Sequence, residues 1–185
     1  MEFKIIHNIK SELAEQNNIN NFPGVDAIDN PILTYDFIID NLRSLHLNCI
    51  NPLLTDIPDV KIKSAYRCKQ LNSLLGGVEN SQHIFGYAID IVSDNFPASL
   101  IWNWCYQNLP AWNQLIWEYP ERGDFNGGAN KNCSWVHISY VIGDNTKKTS
   151  LSTTRKDLHE MYASELTTQK GNFTHGINLA DQNLI

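Results

Sequence analysis

The sequence predicts an α+β fold, and two sets of stretches carry that prediction. Val60–Tyr66, Tyr87–Val92, Gln114–Tyr119 and Ser134–Val141 are short, rich in β-branched and aromatic residues, and read as strands. Thr34–Leu53, Cys68–Leu75 and Asp94–Asn108 space their apolar residues as the buried face of a helix does. With 185 residues, 42% of them hydrophobic and 18% charged, the chain is long and apolar enough for one domain with its own core.

Residues 1–30 carry turn signals (Asn17-Asn18, Phe22-Pro23-Gly24, Asn30-Pro31) and read as an irregular arm around the domain. Within it a short helix is expected at Ser11–Gln16, with Ser11 as its cap. Thr34 suits the start of the next helix, and Asn51-Pro52 reads as its end. His46 on that helix is expected at the surface or its boundary, not as a ligand. Arg67 closes the first strand, and Gly76-Gly77 ends the helix that follows.

The stretch Ser81-Gln-His-Ile-Phe-Gly-Tyr-Ala-Ile-Asp90 then sets a carboxylate among apolar residues, where its charge needs a partner. His83 and Asp90 are seven apart, so a straight strand would point them to opposite faces. A helix would separate them by about 10 Å along its axis. The chain should therefore bend between them, and Gly86 is the residue that permits it. Pro97 suits the first turn of the next helix, and Trp102, Trp104 and Trp112 read as packing residues. Ile116 and Glu118 share one face of the third strand; Trp135, His137 and Ser139 share one face of the fourth. The loop 120–132 between them is a candidate to face substrate. Past Gly143 the sequence turns polar, with a short helix expected near Lys156–Leu166 and weak order in the last fifteen or so residues.

A net charge of -6 and a pI near 5.4 exclude a basic nucleic-acid binder or a polybasic membrane-surface protein. Met1–Lys10 interrupts its apolar residues with charge and lacks a signal peptide's apolar run, and no stretch approaches the roughly 18 apolar residues of a membrane span. Synthesis in the cytoplasm is the expectation. Cys49, Cys68, Cys105 and Cys133 form no Cys-x-x-Cys pair and are read as reduced thiols, one disulfide being the alternative; a structural zinc on cysteines is not expected.

His83, Asp90 and His137 thus offer two imidazoles and one carboxylate, a donor set that holds catalytic zinc while leaving a position for water. If the third and fourth strands are neighbours, Glu118 meets His137 on one face, as a base for that water. Each residue alone has a plainer reading: a histidine satisfied in the core, an aspartate paired with arginine, a glutamate facing solvent.

Six short motifs occur in order: Ser64-Ala-Tyr-Arg67, Leu71-Asn72, Gly76-Gly77, Ser81-Gln-His-x-x-Gly-x-Ala-x-Asp90, Gln114-Leu-Ile-x-Glu118 and Trp135-Val-His137-Ile-Ser139. Together they resemble the zinc D-Ala-D-Ala carboxypeptidase family, which shares its fold with hedgehog domains, and most closely its phage and bacterial cell-wall branch. The likeness spans roughly residues 10–142, including Asn20-Asn-Phe-Pro23 and Asn51-Pro52-Leu53.

The resemblance implies a hedgehog/DD-peptidase-like α+β domain over residues 1–145, its central antiparallel sheet carrying one zinc ion and flanked by helices. Residues 146–185 would be a polar extension, partly helical or disordered. It implies that His83, Asp90 and His137 bind the zinc. Arg67 would hold a substrate carbonyl or carboxylate, with a salt bridge to Asp90 or to a surface carboxylate as the alternative. Ser81 and Gln82 would bond to the ligand loop or substrate and fix the His83 ring.

One position departs from the pattern: relatives place the catalytic glutamate three residues before the final histidine, where this chain has Ser134. Glu118 is the natural replacement. The implied activity is hydrolysis of a peptide bond in peptidoglycan stem peptides, by a D-Ala-D-Ala carboxypeptidase or an endolysin-like endopeptidase. The alternative is a non-catalytic wall-binding or phage structural protein that keeps the fold. A chain without a signal peptide would reach the wall by lysis, through a pore or from a virion, which suits a phage or prophage origin.

Overall fold

The computed structural model describes residues 4–119, 134–144 and 149–153. The loop 120–132, Cys133, the helix expected at 156–166 and the last fifteen residues lie outside them.

Two short helices open the chain, α1 (Ile5–Ile9) and α2 (Glu12–Gln16). Ser11 caps α2, its hydroxyl accepting from the Ala14 amide. After a 3₁₀ turn at Val25–Ile28, Thr34 caps α3 (Tyr35–Leu45) by accepting from the Phe37 amide. Ile38, Ile39, Leu42 and Leu45 form the buried face of α3.

Asn51-Pro52 does not end this helical run. The chain passes through a π-type turn, His46–Ile50, into α4 (Asn51–Asp56). Pro52 lies in the first turn of α4, where a missing N–H costs nothing. His46 is not at the surface either: it is buried, with Nε2 2.9 Å from Asn8 Oδ1. Asn8 belongs to α1, whose packing over His46 is a long-range event invisible in the helix's own spacing.

The strands are β1 (Lys61–Ser64), β2 (Ala88–Val92), β3 (Gln114–Glu118), β4 (Trp135–Ser139) and β5 (Thr149–Thr153). Their order is β1-β2-β4-β3-β5. The first four pair antiparallel, as expected, whereas β5 joins the far edge parallel to β3, adding a strand from beyond residue 145 that the sequence did not indicate. Ile89 and Ile91, Leu115 and Trp117, and Val136 and Ile138 point to one side and join the core. Asp90, His137 and Glu118 alternate with them and so belong to the other face.

Between β1 and β2, α5 (Lys69–Leu74) is capped by the Cys68 thiol and by Asp26, whose carboxylate accepts from the Lys69 amide. Between β2 and β3, α6 (Ala98–Asn108) follows Pro97 and packs on β3 and β4. Trp102 and Trp112 are buried; Trp104 is half-buried and donates to Asp56 Oδ2 at 2.8 Å. Cys49, Cys68 and Cys105 are buried free thiols.

Gly86 makes the expected bend, at φ +70°, with a Cβ there lying 2.6 Å from the Ile38 carbonyl oxygen. Asn41, one turn further along α3, donates to the Phe85 carbonyl at 3.0 Å. The loop before β2 is therefore clamped on α3 at two adjacent points. Gly86→Ala should destabilise the fold by about 2–4 kcal/mol through the left-handed backbone and the clash. Chemical denaturation checks this, and a loss under about 0.5 kcal/mol would mean that the bend relaxes freely.

Burial lowers the His46 pKa to about 4. Unfolding returns it to about 6.5, so the unfolded chain gains a proton between those values that the folded chain refuses. Stability from this site is complete above pH ~6.5 and falls toward pH 4, by up to about 3 kcal/mol. His46→Gln should flatten the fall of the urea midpoint between pH 7 and 4.5; an unchanged slope would place the acid sensitivity elsewhere.

Candidate metal centre

The pairing of β2 with β4 sets Asp90 directly opposite His137 on the polar face of the sheet. His83 reaches the same point from the loop that Gly86 bends back. His83 Nε2 lies 3.2 Å from His137 Nδ1 and 3.3 Å from Asp90 Oδ1, and His137 Nδ1 lies 3.0 Å from Asp90 Oδ1. Three donor atoms from distant parts of the chain thus form one small triangle. All three residues are buried.

The electrostatics suit a cation. His83 Nδ1 donates to the Ala65 carbonyl at 2.6 Å, which turns the Nε2 lone pair toward the triangle. Burial, with the Arg67 guanidinium beside it, lowers the His83 pKa to about 4, so the ring is neutral at pH 7. Burial alone would raise the Asp90 pKa. The His83 ring, a hydrogen bond from His137 and the Arg67 charge outweigh it and hold the carboxyl well below the usual range. The site therefore presents a carboxylate at Asp90 and a neutral imidazole at His83.

These residues fit a tetrahedral zinc ion. Ligand bonds of about 2.0–2.1 Å separate donor atoms by about 3.3–3.4 Å, close to the 3.0–3.3 Å edges of the triangle. His137 Nε2 is buried without a hydrogen-bond partner among the described residues. The described His/Cys/Asp/Glu residues form no other group of three or more that can hold a metal.

Arg67 sits beside the triangle and is bonded to it. Nη2 donates to Asp90 Oδ2 at 2.6 Å and lies 3.0 Å from His83 Nε2, while Nε donates to Ser64 Oγ at 2.9 Å. The ion pair with Asp90, held as an alternative from the sequence, is thus present in the structure. Ser81 lines the cleft around the centre, and Gln82 donates to Asn113 Oδ1 at 2.7 Å, tying the His83 loop to the start of β3. The ring of His83 is held by Ala65 and Arg67 rather than by these two side chains.

Glu118 stands opposite Trp135, and Ile116 opposite His137, so Glu118 is one diagonal step from His137. Arg67, Ser81, Gln82 and Glu118 line the same cleft as the triangle, about 1200 Å³ in volume. Ser134 is buried at the end of β4.

Sequence reasoning missed several supports. Ser64 and the Ala65 carbonyl lie inside a quoted motif, but a backbone carbonyl leaves no side-chain signature. Asn21, in the arm, accepts from the Cys68 amide and donates to the Ile9 and Tyr66 carbonyls, tethering the segment that carries Arg67. Its only sequence signal was its place in the arm's Asn-Asn-Phe-Pro run.

The sequence matches the peptidase M15 family over residues 23–115, half of the chain. No curated protein matches it. The matched span contains Arg67, Ser81, Gln82, His83 and Asp90 and stops before Glu118 and His137, which the sheet brings to the same cleft. On this match, the chain belongs to the peptidase M15 family, whose members are zinc enzymes.

Proposed function

We propose that this chain is a zinc-dependent peptidase that hydrolyses a peptide bond in peptidoglycan stem peptides, as a D-Ala-D-Ala carboxypeptidase or an endolysin-like endopeptidase. The observation that carries the proposal is the triangle of His83 Nε2, Asp90 Oδ1 and His137 Nδ1 on the floor of a cleft that Glu118 also lines. These three residues would hold one zinc ion. When bound, zinc supplies Lewis acidity that polarises the scissile carbonyl and acidifies water.

Glu118 then acts as the base, taking the proton of the attacking water and passing it to the leaving amine. Arg67, through its bonds to Asp90 and Ser64, fixes the carboxylate's orientation. Arg67 also lines the cleft, where the guanidinium donors not given to Asp90 and Ser64 would steady negative charge on the substrate carbonyl or carboxylate. Ser81 and Gln82, on the cleft wall, would bond to the peptide backbone. Release from a phage- or prophage-carrying cell, or delivery by a virion, belongs to the same proposal and rests on the likeness to that branch.

The purified protein should contain zinc in stoichiometric amount by mass spectrometry, and His83→Ala, Asp90→Ala and His137→Ala should each lose it. Metal content unchanged in all three variants would remove the site from consideration. Glu118→Gln should keep the zinc and lose about 10²–10⁴ in kcat. Digestion of purified peptidoglycan tests the reaction: free D-alanine marks a carboxypeptidase, new internal amino termini an endopeptidase. Neither product from zinc-loaded protein would overturn the proposal.

A further inference from the structure

The backbone is strained at one point beside the cleft. Among the described residues only Asn18 and Tyr119 carry a side chain at positive φ, +53° and +54°. Asn18 follows the end of α2, and asparagine tolerates left-handed backbone in such a turn. Tyrosine has no such tolerance, and a residue that precedes a proline, here Pro120, prefers extended backbone. Strain of this kind persists only where the surroundings hold it.

Trp135 is part of what holds it. Glu118, the last residue of β3, lies directly opposite Trp135 on the cleft face. A straight continuation of β3 would set Tyr119 opposite Ser134 and turn its side chain to the core face of the sheet. Instead the Tyr119 ring packs on Trp135, with centroids 4.9 Å apart, and is buried. The left-handed residue thus brings two consecutive side chains, Glu118 and Tyr119, beside one indole. Trp135 is braced in turn from β1. Ile62 lies opposite Ile91 and Ser64 opposite Asp90, which leaves Lys63 as the extra residue of a bulge. The Lys63 ammonium stands 4.7 Å from the centre of the Trp135 ring, a cation–π contact. Along β3, Ile116 is opposite His137, so the Tyr119 turn lies past Glu118 on the side away from that histidine.

We propose that Tyr119 is a positioning residue for Glu118: its left-handed turn and its packing on Trp135 close the space beyond Glu118 and leave the carboxylate the side toward His137. The inference rests on the peptidase reading above, with Glu118 as the base, and Tyr119 itself takes no part in bond cleavage. A base must lie within hydrogen-bond reach of the proton it takes. Displacing such a group by about 1 Å can cost about 10² in rate, so a wall that limits its rotamers serves turnover directly.

The test is cleavage of purified peptidoglycan by zinc-loaded protein, read as kcat and KM, with zinc content measured on each variant. Tyr119→Gly removes strain and ring together, Tyr119→Asn suits the turn without the ring, and Tyr119→Phe keeps the ring. Tyr119→Phe should stay within about twofold of wild type in kcat. The other two should hold stoichiometric zinc, keep KM within about twofold and lose about 10–10² in kcat. If one of these two fails to fold by circular dichroism, the other carries the readout. An undiminished kcat, a loss that follows zinc content or KM, an equal loss in Tyr119→Phe, or failure of both to fold overturns the positioning role. Glu118→Gln, run alongside, separates this role from the reaction. Inactive Glu118→Gln protein with unimpaired Tyr119 variants overturns the positioning alone. Wild-type protein that cleaves nothing, or Glu118→Gln as active as wild type, overturns the peptidase reading as proposed and the positioning with it.

Discussion

Asp90 is the constraint around which this structure is arranged. A carboxylate 3% exposed cannot stay ionised unless neighbours replace the water it has lost. Oδ2 receives Arg67 at 2.6 Å, and Oδ1 meets His137 and His83 at 3.0 and 3.3 Å. Each oxygen therefore has its own role: one faces a permanent cation, the other the point where donor atoms converge. Removing Arg67 would strip the guanidinium from Oδ2 of a buried charge, and such residual charges are more destabilising than the intact pair is stabilising.

The parts that hold this arrangement are spread along the chain. The cross-strand pairing of β2 and β4 fixes Asp90 against His137. The clamp of Gly86 and Asn41 on α3 fixes the approach of His83. Asn21 and Asn8, both in the arm, bond to the main chain of Tyr66 and Cys68 on either side of Arg67. The arm is thus part of the scaffold of the site. Asn21 does this with its side-chain amide and Asn8 with its backbone carbonyl, which accepts from the Tyr66 amide.

The family match and the structure contribute different things. The match covers Arg67, His83 and Asp90 and ends within β3. The sheet then adds His137, Glu118 and the Lys63–Trp135 contact, which depend on strand order and on a bulge. The proposed chemistry, with three protein ligands and a base, draws on both halves, which meet in the cleft.

The sequence by itself determined the elements and much of the site. Strand periodicity placed β1 to β4, Ser11 and Thr34 marked helix starts, and the odd spacing of His83 and Asp90 required a bend at Gly86. These signals are legible because side-chain alternation, capping and left-handed backbone are local properties. Tertiary structure decided what local rules cannot express. His46 is buried because α1 lies over it, Pro52 begins a helix because the chain turns before it, and β5 extends the sheet from a stretch that reads as polar tail. Above all, Asp90 faces His137 because two strands 47 residues apart in this chain pair in one register, and pairing is a property of the whole sheet.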